Sequence, residues 1–591
     1  MTLEPEDQLD LLRRFEPELR FTAGELFFPM SVEGYLRDAS LVAGSGSSAV
    51  EIAAPGTLTP DLLAKLAREH TGQPQALNGV EHSLDRAAYR SWRKNERASF
   101  RSSSRFAAVG LPARLVDLLL RLTLLIRGRV PGGFAAAAHQ AYLARAGPEP
   151  AGVYYGRVVQ DAGYVVLQYW YFYAMNDWRS TFGGVNDHEG DWEQVSIFLV
   201  TPDGAQEDVK PVWVAFSSHD EVGDDLRRRW DDPDLTLAGE HPVVFVGAGS
   251  HSGAYLEGEY LVGAAVPVPA WVRRLATFFS DQDGQRSSGL NIPFLDYKRG
   301  DGLAFGAGTS RPWDPVLIDD RTSWVRDFTG LWGLDTSDPF GGERAPAGPR
   351  YERSAVVRRS WSQPVAWVGL DKVAPTRAVA LREMARSRDT IADELTALEA
   401  QMETSREELR GAVSAVLALG LPPDRPGSAT ADLAESVAAL RVEQAKLQGL
   451  LNGLERALTR PTVDEPVHAH LRHRAMPVAA DVVGSGRLLR AWAAASASIL
   501  LAALGVLLLR GDAPLAAILW VAGAMLVVEA VLRRRVVSLL VGAAAIGLAV
   551  VGFWAVLSLV LGNLQRGFGV LLILTAGYLA LATLCEALRN Q

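Results

Sequence analysis

The sequence predicts a multidomain α+β protein with a β-sandwich-like N-terminal domain, an antiparallel coiled-coil hairpin and a four-helix transmembrane bundle. Three patterns carry that expectation. Between residues 153 and 267, runs of β-branched and aromatic residues are separated by Gly, Pro and Asp, the signature of short strands and turns. Between 384 and 458, mainly apolar residues keep a 4-3 spacing, the seam of paired helices. From 491 onward, four apolar stretches each approach the roughly 20 residues that a membrane helix needs.

At 591 residues the chain exceeds a single core, and length suggests roughly three to four domains. A hydrophobic content of 48% directs attention to membrane segments. The net charge of −9 gives no reason to expect nucleic acid as a partner. Cys585 is the single cysteine, so no disulfide is expected within the chain and a reducing compartment is. The opening MTLEPEDQLDLLRRFEPELR is acidic and amphipathic, unlike a secretory signal.

Residues 15–36 read as an extended opening anchored by Phe27 and Phe28. A region rich in Ser, Gly and Arg follows and carries no assigned chemistry. Residues 113–127 are apolar but too short and too interrupted by arginine to span a bilayer, so a buried or surface-lying helix is expected there, and another over 134–146. The strand candidates are 153–159, 164–173, 193–200, 211–217, 242–248 and 259–267, a mainly antiparallel sheet or sandwich. Over 280–350, Trp313, Trp324 and Trp332 suggest long loops pinned by aromatic anchors. The β-rich domain thus covers 1–375.

Residues 376–460 form the predicted hairpin. One seam runs from Met384 to Val416 and the other from Leu433 to Leu458, with the prolines of LPPDRPGS (421–428) stopping the first helix and turning the chain back. The hairpin spans roughly 45–50 Å, and its seams also offer a route to a homo-oligomer. A basic, histidine-containing connector occupies 461–489, and 490–591 holds the apolar stretches 491–509, 514–532, 536–561 and 568–588. Arg487, Arg490, the triplet Arg533 to Arg535 and Arg589 lie on one side of them. The positive-inside rule then predicts an integral membrane protein with the large N-terminal region and the C-terminus in the cytoplasm. Glu529 reads as a snorkelling partner of the arginine triplet.

Chemistry concentrates in YVVLQYWYFYAMNDWRSTFGGVNDHEGDWEQVSIFLV (164–200), where Asp177, Asp187, His188, Glu189, Asp191 and Glu193 lie between two strand-like runs. On a strand, Asp191 and Glu193 share a face with Trp192 on the other, and His188 stands in the turn before them. An oxygen-rich set with one imidazole suits a divalent cation such as Mg, Ca or Mn better than zinc. Acids that cap a turn and pair with Arg157 or Arg179 explain the same residues equally well. The runs PVWVAFSSH (211–219) and PVVFVGAGSH (242–251) both begin Pro-Val and end Ser-His, so His219 and His251 are candidates to meet that loop. Neither Ser218 nor Ser250 sits in a Gly-x-Ser-x-Gly turn, which disfavours a serine nucleophile. DQDG (281–284) reads as a turn.

The blocks FEPELRFTAGELFFPMSVEGYL, LQYWYFYAMND, DHEGDWEQVSIFL, HPVVFVGAGSHSGAY and DFTGLWG resemble the vacuolar protein sorting-associated protein 62 family over roughly 15–370. More distantly, HEGDWE and QYWYFYAMND are similar to the GHRHDWE heptapeptide and the preceding aromatic run of the necrosis- and ethylene-inducing-like proteins. Those are β-sandwiches that bind a divalent cation and recognise sphingolipid head groups. The resemblance implies a metal set of Asp177, His188, Asp191 and Glu193, with Gly190 standing where the heptapeptide has its second histidine. The secretion signal and disulfide of those proteins are missing here.

The leading expectation is a membrane-anchored recognition or trafficking-type protein, using a divalent-cation site to bind a polar lipid, glycan or phosphate group. The first alternative is a metal-dependent hydrolase of a phosphoester or glycolipid, with Glu193 or Glu189 as base and His251 as acid. The second is a structural or oligomerisation stalk, in which the hairpin does the work.

Overall fold

In the computed structural model the described residues are 4–577 except 45–47, 81, 96–110, 112–113, 116–117, 119–131, 147–150, 183–186, 202–208, 218–226, 266–290, 334–344, 424–427, 461–475, 478–486, 510–514, 563–564, 567 and 570–571. Ser218, His219, DQDG and most of segment 113–127 therefore lie outside them, as do the connector histidines, Cys585 and part of the fourth apolar stretch.

The strands in chain order are β1 (Glu18–Arg20), β2 (Ser40–Ala43), β3 (Val50–Ala53), β4 (Gln75–Asn78), β5 (Gly152–Asp161), β6 (Tyr164–Asn176), β7 (His188–Val200) and β8 (Lys210–Phe216). They continue as β9 (Arg227–Arg229), β10 (Leu237–Ala238), β11 (His241–Val246), β12 (Gly253–Ala254), β13 (Gly258–Ala265), β14 (Asn291–Lys298), β15 (Ala304–Phe305) and β16 (Trp313–Leu317). A six-stranded sheet of order β16-β5-β6-β7-β8-β9 is antiparallel except for the β16–β5 pair. Facing it is a smaller sheet of order β10-β11-β1-β15, with β12 added on β11 and with β1 parallel to β11.

Side-chain alternation explains the layers. Tyr169, Tyr171 and Tyr173 of β6 and Val195, Ile197 and Leu199 of β7 meet Leu19, Val244, Val246 and Phe305 of the smaller sheet in one core. The intervening Trp170, Phe172 and Trp192 point the other way, into a second core closed by helices Val32–Leu36, Pro60–Glu69 and Gly133–Ala146. Buried on both faces, β6 carries the near-continuous apolar run that the sequence shows, while β7, buried along its whole length, is apolar mainly over 195–200. Helix 133–146 agrees with the expectation for 134–146, and Trp324 and Trp332 are core residues, not loop pins alone.

Helices Arg377–Ala418 and Ala429–Thr459 pair as the expected antiparallel hairpin. Their N-termini are capped by Thr376 and Ser428, whose side chains accept from Val379 N and Ala431 N. Leu395, Met402 and Val437 of the two seams are buried, while the off-seam Val442 and Leu450 are exposed. Gln444 Nε2 donates to Glu399 Oε1 at 3.1 Å across the pair.

The four-helix transmembrane bundle is corrected. Among the described residues one helix, Arg487–Leu509, is long and apolar enough to cross a membrane, with mean hydropathy 2.2 over its best window. Its neighbours offer shorter apolar stretches, Ala516–Leu532 and Leu539–Ala555. The first of these is interrupted by charge: Glu529 lies within its last turn, and Arg533 to Arg535 follow it.

Candidate functional site

Four segments converge at one end of the sandwich: Glu25 after β1, Tyr173 to Asp177 at the end of β6, the start of β7, and the Gly247–Ser252 loop between β11 and β12. Register fixes the first relationships, because β6 and β7 pair Tyr173 with Asp191, Tyr171 with Glu193 and Asn176 with His188. His188 is thus the first residue of β7 and not a turn residue as expected, so the acidic run lies in the strand itself.

The Gly247–Ser252 loop is tied down on every side. His251 N donates to Gly247 O at 2.9 Å, Gly249 N to Glu25 Oε2 at 2.8 Å and Asp177 N to Gly249 O at 3.2 Å. Ser250 Oγ and Ser252 Oγ both donate to Asp296, at 2.8 and 3.0 Å, and Lys298 Nζ donates to Ser252 Oγ at 2.7 Å. Position 249 must be glycine: its φ is +67° and a Cβ would stand 2.7 Å from Asp177 Oδ1 and 2.5 Å from the Phe182 ring.

This loop delivers His251, itself at φ +54°, into a carboxylate cage. Its Nδ1 lies 2.9 Å from Asp191 Oδ2, its Nε2 lies 3.7 Å from Glu25 Oε1, and its ring stacks on Tyr173 at 3.8 Å with a 3° interplanar angle. Asn176 Nδ2 also donates to Asp191 Oδ2, at 3.2 Å. Glu25, Asp177, Asp191 and His251 are all buried. Burial works against a charged imidazole, but the hydrogen bonds and charges of Asp191 and Glu25 outweigh it and push His251 up to about 10. His251 is therefore the cation that answers the acids of the strand.

One positive charge does not balance three carboxylates. Both Asp177 oxygens are buried, and no hydrogen bond of normal geometry reaches them from the described residues. Burial first, and the charge of Glu25 second, hold its carboxyl well above the usual range, against the opposing pull of Thr181 and His251. A proton or another cation supplies what is missing.

The predicted residues divide between this cluster and its surroundings. Asp177 and Asp191 are in it, and His251 joins them, as the sequence allowed. His188 turns its Nδ1 toward Gly190 O at 2.7 Å and Glu189 O at 3.2 Å. Glu193 accepts from Ser217 Oγ, which also accepts from Gln194 N at 2.8 Å. Among the described residues, no three His, Cys, Asp or Glu side chains stand close enough to hold a metal ion as they are. By donor chemistry, Asp177, Asp191 and Glu25 are hard oxygen donors, the kind that suits Mg, Ca or Mn. Glu25 was not anticipated. It sits in an apolar run, and its Oε1 accepts from Leu26 N at 2.8 Å and Phe27 N at 3.0 Å, a local turn that leaves no periodic signal.

Asp177→Asn is expected to raise the melting temperature near neutral pH, because the amide needs no proton to be buried. The signs for the wild type follow from linkage. Asp177 binds its proton more tightly when folded, so stability falls as pH rises above its ordinary 3.8 toward the folded value. His251, raised from 6.5 to about 10, contributes stability that is complete below 6.5 and lost as pH climbs through 10. Thermal melts from pH 5 to 10 check both, since the variant should lose the first dependence and keep the second.

No family model matches the chain, and no curated protein does. The resemblance to the vacuolar protein sorting-associated protein 62 family thus rests on its motifs alone. Among solved structures there is a weak likeness to an NLP protein, described as "Crystal structure of non-toxic HaNLP3 protein", with TM-score 0.17 and 12% identity. The match covers 33% of this chain and 60% of that one, so this chain spans less than two thirds of that protein.

Proposed function

We propose that the protein is a membrane-tethered recognition protein whose β-rich unit exchanges protons for a divalent cation at Asp177, Glu25 and Asp191, and thereby binds a polar lipid, glycan or phosphate group. The observation that carries the reading is the pair of buried Asp177 oxygens, which no hydrogen bond of normal geometry reaches from the described residues, beside two further carboxylates and one imidazolium. A bound cation would offset that excess and present positive charge to an anionic group. The tether is the Arg487–Leu509 helix, and the arginines at its start and in the 533–535 triplet favour a cytoplasmic N-terminal region. Recognition is preferred to hydrolysis because Glu193, the candidate base, is engaged by Ser217, and His251, the candidate acid, is enclosed by Asp191 and Tyr173.

The test is calorimetric titration of the full chain in detergent with dihexanoyl phosphatidic acid, inorganic phosphate and glucosamine, each with calcium or with chelator. Binding of at least one probe with calcium, lost with chelator and weakened at least tenfold in Asp177→Asn, is the expected result. Binding indifferent to chelator, or no binding of any probe, overturns the reading.

A further inference from the structure

The structure places a charged side chain from the N-terminal region inside the apolar helix pair. Arg114 and Glu529 are both buried, and Arg114 donates to Glu529, to Ser496 Oγ and, at 3.2 Å, to Ala493 O. Glu529 also accepts from Trp492 Nε1 and from Arg533 Nε, each at 2.6 Å. Leu111 and Leu115 flank Arg114 and pack with Leu500, Met525, Leu504 and Val521 of the two helices.

Three features separate this from a chance surface contact. A buried ion pair is tolerated only when its remaining donors and acceptors are satisfied, and here a hydroxyl, a backbone carbonyl, an indole and a second guanidinium complete the set. The apolar flanks match the apolar helix faces they cover. Position agrees as well: Ala493 lies about 9 Å along the helix from Arg487 at 1.5 Å per residue. Arg114 therefore enters at the arginine-bearing end, where a charged side chain is least costly in a membrane.

We infer that the N-terminal region is held to the membrane at a second point, independent of the connector, by docking of the segment around Leu111, Arg114 and Leu115 onto helices Arg487–Leu509 and Leu515–Leu532. Glu529 is the receptor for that docking, beyond its role as a partner of the arginine triplet. With both attachments made, the N-terminal region is joined to the membrane helices at two places along the chain.

The inference rests on reading Arg487–Leu509 as lying in a membrane, and the experiment separates the two. A site-specific protease sequence is inserted between 461 and 475 of the full chain in native membranes, and the chain is cut. The N-terminal fragment should remain in the membrane fraction, resist a wash in about 1 M salt because the pair is buried, and leave when Arg114→Glu sets two acids together. Arg114→Leu combined with Glu529→Leu should retain it, since an apolar pair can replace a buried ion pair. Unchanged tryptophan fluorescence melts of the fragment show that Arg114→Glu released it without unfolding it. Release of the wild-type fragment on cutting, or its loss in salt, overturns the second attachment, as does full retention of Arg114→Glu. Extraction of the uncut chain by alkaline carbonate overturns the membrane reading as well.

Discussion

Asp191→Ala destabilises the β-rich unit by about 3–5 kcal/mol, the range for breaking a buried ion pair by removing one partner. The side chain is the nearest acceptor to His251 Nδ1 and an acceptor for the Asn176 amide, at 2.9 and 3.2 Å. Its loss strands an imidazolium that is 2% exposed, with the longer 3.7 Å contact to Glu25 as its nearest remaining ion pair among the described residues. Deprotonation of His251 is the route of relief, so the alkaline limit of stability should move down from about 10 in the variant. Asp191→Asn keeps the shape and the Asn176 neighbourhood but not the charge, and should lose less stability while showing the same displaced limit. Denaturant melts of the detergent-solubilised chain at several pH values measure both. Equal stability of wild type and Asp191→Ala at pH 7 would remove the His251–Asp191 pair from the account.

Gly190→Ala is expected to cost about 3 kcal/mol or more, from two sources acting at one atom. The backbone has φ +60°, left-handed geometry that costs a side chain roughly 1–2 kcal/mol. The added Cβ would also stand 2.5 Å from Trp332 O, and forced crowding in a packed core costs about 1–3 kcal/mol. Trp332 cannot retreat cheaply. Its carbonyl accepts from Tyr35 Oη at 2.8 Å, and its ring packs on Phe172, Trp192, Trp324 and Phe328. Any side chain at 190 would enter this space. Thermal denaturation followed by tryptophan fluorescence reports the loss directly, because the displaced ring is itself a reporter.

Legibility in the sequence followed the length scale of each signal. Four strands of the six-stranded sheet, β5 to β8, were visible as aromatic and β-branched runs, and the hairpin as two seams, because each pattern repeats over many residues; the edge strands β9, a run of arginines, and β16, in the stretch read as loops pinned by Trp313, were not. Strand alternation also placed Asp191 and Trp192 on opposite faces, as found. What escaped was convergence between distant segments. Glu25 precedes Asp191 by far in the chain and reaches His251 only because β1 pairs in parallel with β11, a long-range choice that no local pattern encodes. The start of β7 was missed by several residues because its charged side chains look like loop, although β7 is buried throughout. His188 and Glu193 were grouped with Asp191 by spacing, whereas backbone carbonyls and Ser217 engage them. Hydropathy likewise showed four apolar stretches, whereas among the described residues one helix is both long and apolar enough to cross a membrane.

The hairpin remains the natural seat of the stalk alternative, since among the described residues neither of its two helices belongs to the core clusters of the β-rich unit. Its exposed Val442 and Leu450 lie off the seam between its own helices. Deleting 376–460 while retaining the tether would separate that role from recognition by the β-rich unit.

If a divalent cation replaces the proton at Asp177, the purified protein carries it and metal content reveals it. Full-length wild type and Asp177→Asn are purified in detergent, equilibrated with calcium, magnesium or manganese at pH 7.5, freed of unbound ion and analysed by mass spectrometry of the metal. The account predicts close to one ion per wild-type chain, displaced as pH falls toward 5, and a loss of most of it in Asp177→Asn with the fold intact. Equal metal in the two proteins, or none in either, would contradict it.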